Sequence, residues 1–394
     1  MKITKYGFYK SFLLFMLIVA SLCYEIHLFK YYSVIQIIIS FLLILLMMIS
    51  FKLDKGLKIK FGMSSQKFIF LIIFLRVFNT MVGYLAFGYN TPIDVISSLI
   101  MALTTISLFY VIPGILNKDE SIENGFIKTY VIICIILSIF SVLIKLGNGH
   151  FFLWNYVYVI RDASIYYDPN FCAMILGSGV SITLLQKFKN KLLKGYIIII
   201  MLFAILFTGS RGTLLSLLSA ILIYLVVYSK LSVPKKVIII SVFGIATFYG
   251  INYLYSIDFF RTYQGSNDRF EMWYKILSSS LESPVFGYGY GSTDEVLKNI
   301  NFTYASTHNS FLDFLLIYGI PTFVIYIFFI ISTLLKALKK DSNKKYVLSI
   351  IFMLINSNTI LYSFGGVGLS SLMFTVILGL LNYSIGNKQK MQLE

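Results

Sequence analysis

The chain has 394 residues, of which 58% are hydrophobic and only 13% charged. No water-soluble domain could hide that much apolar surface, so composition excludes a soluble fold and points to a bilayer. The net charge of +16 would suit nucleic acid, but the lysines fall in short clusters between apolar runs, which fits loops facing an anionic membrane leaflet.

At the N-terminus Lys2, Lys5 and Lys10 precede an apolar run, as in a signal peptide. No small-x-small cleavage site follows, and a second apolar segment begins at once, so the run reads as an uncleaved first span. A span needs roughly 20 mostly apolar residues to cross ~30 Å of hydrocarbon. Runs of that kind lie at about 11–29, 33–51, 68–88, 93–115, 129–147, 170–186, 192–208, 212–229, 236–255, 309–335, 346–363 and 366–385. Continuous apolarity without period-two alternation predicts helices rather than barrel strands. The expected fold is therefore all-α integral membrane, one polytopic domain over 1–394 with about twelve transmembrane helices. The largest non-spanning piece, 256–308, is expected to be an extracytoplasmic loop.

Positive charge orients such a chain. With twelve spans and both termini cytoplasmic, 24 of the 33 Lys and Arg residues fall on cytoplasmic segments, and every alternate loop obeys the bias. All of those inner cations are lysines. Of the arginines, Arg161, Arg211, Arg261 and Arg269 fall outside and Arg76 inside a span, where it could pair with a helix neighbour or line a lipid groove. Arginine's planar fork suits bidentate phosphate recognition, which a topology signal does not need. The cytoplasmic loops are short and carry no phosphate-cradling glycine loop, which argues against an ATP-driven or sugar-nucleotide enzyme. Cys23, Cys134 and Cys172 sit in apolar segments and read as buried small hydrophobes. The three histidines have no Cys or carboxylate clusters at ligand spacing, so no metal site is expected.

Five outer segments carry polar chemistry. In Arg161-Asp162-Ala163-Ser164-Ile165-Tyr166-Tyr167-Asp168-Pro169-Asn170, Pro169 can open the next helix. Asp168 is then either its cap or, with Arg161 and Asn170, part of a polar ligand site. Thr208-Gly209-Ser210-Arg211-Gly212-Thr213 is a tight hairpin whose exposed amides and Arg211 favour an anion at headgroup depth. In the 267–277 segment, Phe270, Trp273, Tyr274 and Leu277 recur at helical spacing, predicting an interfacial helix with Arg269 at its start. Gly287, Gly289 and Gly291 alternate in a bent loop that would allow close ligand approach. Finally, His308 precedes span ten with Asn309 and Asp313, and histidine is the side chain best suited to proton transfer near neutral pH.

Together these segments resemble the O-antigen polymerase/ligase superfamily of membrane glycosyltransferases. The resemblance rests on Arg211 with Leu215, on His308-Asn309 followed by Gly319 and Thr322, on Arg269 with Trp273, Pro284 and the 287–291 glycines, and on Asp168-Pro169-Asn170. It implies a GT-C-like fold and a metal-independent, inverting reaction that needs no cofactor. The donor is a glycan on polyprenyl pyrophosphate, held by Arg211 and Arg269, and His308 orients or deprotonates the acceptor hydroxyl. Arg161, Asp168, Asn170, Arg261, Trp273, Gly289, Asn309 and Asp313 are expected to contact substrate. The adopted reading is polymerisation of lipid-linked repeat units into O-antigen or capsular polysaccharide on the outer face of the bacterial cytoplasmic membrane. Ligation of finished polysaccharide to a lipid A core or another acceptor is the second reading, and a flippase for lipid-linked sugars the third. The expected partners are the lipid-linked glycan, the bilayer and a chain-length regulator, with no nucleic acid.

Overall fold

A computed structural model describes residues 5–23, 32–53, 64–88, 90–147, 164–166, 168–229, 231–256, 269–302, 306–338 and 344–391. Its regular elements are helices. In chain order they are α1 (Lys5–Ala20), α2 (Tyr32–Leu53), α3 (Ser64–Val82), α4 (Pro92–Ile106), α5 (Ile112–Leu116), α6 (Glu120–Gly147), α7 (Pro169–Leu185) and α8 (Lys191–Thr208). There follow α9 (Arg211–Tyr228), α10 (Val233–Ser256), α11 (Arg269–Ser280), α12 (Thr293–Asn299), α13 (Ser310–Leu338), α14 (Lys344–Asn356) and α15 (Leu369–Met391). A helix overlaps each of the twelve predicted apolar segments. Among the described residues seven helical stretches are long and apolar enough to cross a membrane, and four more are apolar but shorter.

The outward faces are apolar. Ile37, Phe41 and Phe74 are each more than 60% exposed, as are Ile93 and Leu192. Soluble monomers rarely show contiguous apolar surface on this scale, whereas a lipid-facing helix requires it.

Inside, α7 is buried from Cys172 to Thr183, and α15 from Leu369 to Asn382. Glycine allows α7 its central place. A Cβ on Gly177 would fall 2.4 Å from the Phe352 ring of α14, and one on Gly179 2.6 Å from Cys134 Sγ of α6. Close approach through small residues is how helices associate without a water-driven hydrophobic force. The three cysteines are buried, and none is in a disulfide.

The body has two distinct ends. At one, Lys345 Nζ lies 2.5 Å from Glu123 Oε1, tying the start of α14 to the start of α6. Lys10 packs over Gly125 there. Across the body, the starts of α9 and α13 meet the turn that follows α14, Gly212 against Thr359 and Ser310 against Ser357.

One predicted helix is corrected: the run 346–363 reads as helical throughout, yet α14 stops at Asn356, and α15 begins at Leu369. Between them, 357–368 is non-helical and largely buried: Ile360, Tyr362 and Phe364 are each under 5% exposed. Non-helical backbone at membrane depth is tolerated only where protein satisfies its polar groups, and several donors and acceptors do so here. A second break lies in α13, where Gly319 adopts φ 73° and ψ 172°, two residues before Pro321. The backbone freed at this kink pairs with the 284–289 loop: Tyr288 N–H donates to Leu316 O, Gly289 N–H to Ile317 O and Ile320 N–H to Pro284 O, at 2.7–3.0 Å.

Candidate active site

Four helix starts carry the polar groups at the end opposite the Lys345–Glu123 pair. Asp168 caps α7, its Oδ1 accepting from Asn170 N–H at 2.7 Å, with Pro169 in the first turn. α8 ends at Thr208 with Gly209 left-handed (φ 60°), and α9 begins two residues later at Arg211. Ser210 gives its hydroxyl to Thr213 Oγ1 rather than to the backbone, so no side chain caps the first amides of α9. Uncapped amides at a helix start carry partial positive charge and favour an anion. The Arg211 side chain is half-buried and has no hydrogen-bond or ion-pair partner among the described residues. Arg269 opens α11, and His308 stands two residues before α13.

One turn joins two of these starts. Ser310 N–H donates to Ser357 O at 2.8 Å, and Ser310 Oγ donates to Ile360 O (2.9 Å) while accepting from Tyr362 N–H (2.7 Å). In the same turn Thr359 lies against Gly212, where a Cβ would meet its Oγ1 at 2.5 Å. The stretch 357–362 thus seats the starts of α9 and α13 side by side, bringing the segments of Arg211 and His308 to one end of the body.

His308 is held from both sides. Trp273 Nε1 donates to Thr307 O (2.9 Å), and Thr307 Oγ1 donates to Asn309 O (3.0 Å). Asn309 Oδ1 caps α13 through the amides of Phe311 and Leu312. Between these anchors His308 has φ 51°, a left-handed backbone that costs a non-glycine residue about 1–3 kcal/mol and persists only when its surroundings fix it. Burial pushes its pKa below the ordinary 6.5, the Arg269 guanidinium pushes it further down, and the Asp168 carboxylate opposes both. The imidazole is therefore neutral at pH 7, with a lone pair able to accept a proton.

The remaining expected ligands divide. Arg161 and Arg261 lie outside the described residues. Asp168 is a helix cap, and its carboxylate also acts electrostatically on His308. The Trp273 indole N–H is used on Thr307 O and the Asn309 Oδ1 on the cap of α13. Asn170 sits in the first turn of α7, half-buried. At Gly289 the space on the Cβ side is filled by Asn90, whose Oδ1 would lie 2.1 Å from an added Cβ and whose Nδ2 donates to Tyr290 O. The Gly289 φ of 87° serves packing. Asp313 is half-buried and accepts from Thr293 Oγ1 (3.3 Å) and, more distantly, Thr307 Oγ1 (3.5 Å). Sequence reasoning missed the Ser357–Tyr362 turn that seats the two starts. The signal was present, since Asn356, Ser357, Asn358 and Thr359 interrupt an otherwise apolar run.

These features define a polytopic helical membrane protein with arginines and one imidazole gathered at a single end. Residues 196–327, the stretch that carries Arg211, Arg269 and His308, match the family model described as O-Antigen ligase. Over that stretch, a third of its length, the chain is similar to the O-antigen ligase family. It is also similar to the ComP-specific O-oligosaccharyltransferase of Acinetobacter baylyi (strain ATCC 33305 / BD413 / ADP1), 28% identical over 251 residues. That match covers 58% of this chain and 45% of the relative, so it spans less than half of the relative's length.

Proposed function

We propose that this protein transfers a glycan from a polyprenyl-pyrophosphate donor to a hydroxyl acceptor at the outer face of the bacterial cytoplasmic membrane, polymerising lipid-linked repeat units. The observation that carries the reading is the gathering of Arg211, Arg269 and a neutral His308 at one end of the helical body, inside the segment matched to the family. In the reaction the acceptor oxygen attacks the anomeric carbon, and the bond from that carbon to the pyrophosphate oxygen breaks. The leaving group departs with the bonding pair, and fixed guanidinium charge stabilises it. The acceptor proton passes to His308, and Asp168 steadies the imidazolium that forms.

The same reading takes the twelve apolar helices as crossings of a GT-C-like body, with the lysine-bearing end cytoplasmic. On this view 256–308 is the outer loop. Phe270 and Tyr274 of α11, each at least 70% exposed, would rest among lipid headgroups.

A second reading is favoured by the comparisons: the family description names a ligase and the relative's name an oligosaccharyltransferase. Purified protein in liposomes, given a single lipid-linked repeat, separates the two. A ladder of products supports polymerisation; product only when a core lipid or a protein acceptor is added supports ligation. Failure to release glycan from pyrophosphate under either condition would sink the proposal. His308→Ala and Arg211→Ala are expected to abolish transfer while leaving the protein abundant in the membrane. Chelators are expected to leave the rate unchanged, and inhibition reversed only by a divalent ion would overturn the metal-free reading.

A further inference from the structure

Arg76 stands apart from the outer arginines. It lies in the middle of the apolar helical stretch 67–86 and is 6% exposed. Among the described residues no carboxylate pairs with it. Its Nη1 instead donates to Phe364 O at 2.8 Å, its guanidinium lies 5.0 Å from the centre of the Tyr318 ring, and its other amino group reaches the Met101 sulfur. A buried cation in a bilayer protein is costly and needs a specific reason to persist.

The reason lies in what it touches. Phe364 belongs to the non-helical segment 357–368, where Phe364 O and Gly365 O are met by side chains from other helices. Arg76 satisfies Phe364 O, and the Thr104 hydroxyl satisfies Gly365 O (3.0 Å). Gly365 N–H reaches Thr375 Oγ1 (2.9 Å), and Ser363 N–H reaches Ser371 Oγ (3.0 Å). At its other end the segment is fastened to Ser310, two residues from His308. Tyr318 lies further along the same stretch of α13, just before the Gly319 kink. Arg76 therefore grips both members of the pair, strap and helix, that set where His308 stands.

We infer that Arg76 is a positioning residue that locks the 357–368 strap against α13 and so holds His308 in place, and that it does not bind the donor. The inference rests on the reading of His308 as the base.

The test measures kcat, donor KM and the pH profile of transfer in liposomes for Arg76→Gln, Arg76→Lys, Thr104→Val and Ser310→Ala. A base displaced by about 1 Å costs on the order of 100-fold in rate, so Arg76→Gln and Ser310→Ala are expected to lose about 10- to 100-fold in kcat with donor KM nearly unchanged. The acid limb of the profile should move to higher pH, because a loosened His308 is less buried. Arg269 on α11 and Asp168 on α7, the charged groups facing it, remain in place. Arg76→Lys, which keeps one donor, should recover part of the loss. A raised donor KM at normal kcat would overturn the inference by making Arg76 a donor ligand, and unchanged kinetics in all four variants would overturn it by making the strap irrelevant. If Arg76→Gln does not accumulate in the membrane, Thr104→Val and Ser310→Ala carry the same test. Thiol labelling of Ser306→Cys separates this inference from the functional reading. Faster labelling when Arg76→Gln is added supports the lock even if no glycan is transferred by the parent protein, and an unchanged rate overturns it.

Discussion

His308 is a histidine arranged to be neutral. Burial and the Arg269 guanidinium lower its pKa, so its base form persists at pH 7 and is lost only as the pH falls below 6.5 through the folded value. Transfer should accordingly show an acid limb below 6.5 and no loss between pH 7 and 8 from this group. Asp168 opposes the shift, so Asp168→Asn should move the limb to lower pH, and asparagine still caps α7. A limb that stays put in a pH series of kcat/KM would remove Asp168 from the surroundings of the base. The residue types themselves were readable from sequence: an imidazole at a helix start and arginines separated from the lysines stand out in a list of polar positions. The indole of Trp273 on Thr307, and the cap made by Asn309, were not readable. Each depends on a hydrogen bond to backbone that hydropathy and spacing do not encode.

Helices followed from sequence because continuous apolarity has few other outcomes in a bilayer. Breaks were harder, since hydropathy measures partition and not continuity of hydrogen bonding. The run 346–363 is apolar enough to predict one helix, yet Asn356 to Thr359 turn it toward Ser310 and Gly212. The α13 kink depends on Gly319, whose φ of 73° and ψ of 172° are open almost only to glycine and whose Cβ position is 2.4 Å from Val285 O. Gly319→Ala should cost about 1–3 kcal/mol from backbone strain alone, and more from the clash, seen as a lower thermal midpoint in detergent. A wild-type midpoint would mean that the 284–289 loop is not seated on the kink. Gly212→Ala is smaller in scope: it should push the first turn of α9 off Thr359 and lower transfer more than it lowers stability. The opposite ordering would show that the contact with Thr359 serves stability rather than placement of Arg211.

At the scale of the molecule, the Lys345–Glu123 pair and the arginine–histidine site lie at opposite ends. Two exposed positions test whether those ends face opposite compartments: Glu295 on α12, beside the site, and Lys189, between α7 and α8. An impermeant thiol reagent should modify Glu295→Cys in intact cells and Lys189→Cys only after permeabilisation. The three native cysteines are buried and should stay silent. Labelling of both from one side would refute the topology. The short α14 has a further implication, for biogenesis. Its 13 residues rise about 20 Å, well under the ~30 Å of a hydrocarbon layer, and the turn beyond it leaves amides that lipid cannot satisfy. Partitioning alone would insert this hairpin poorly. Its docking sites on α7 and α9, Gly177 and Gly212, are synthesised much earlier, so the last hairpin would settle against a scaffold already laid down. Gly177→Leu, which fills the seat of Phe352, should then leave the 344–368 stretch open to protease.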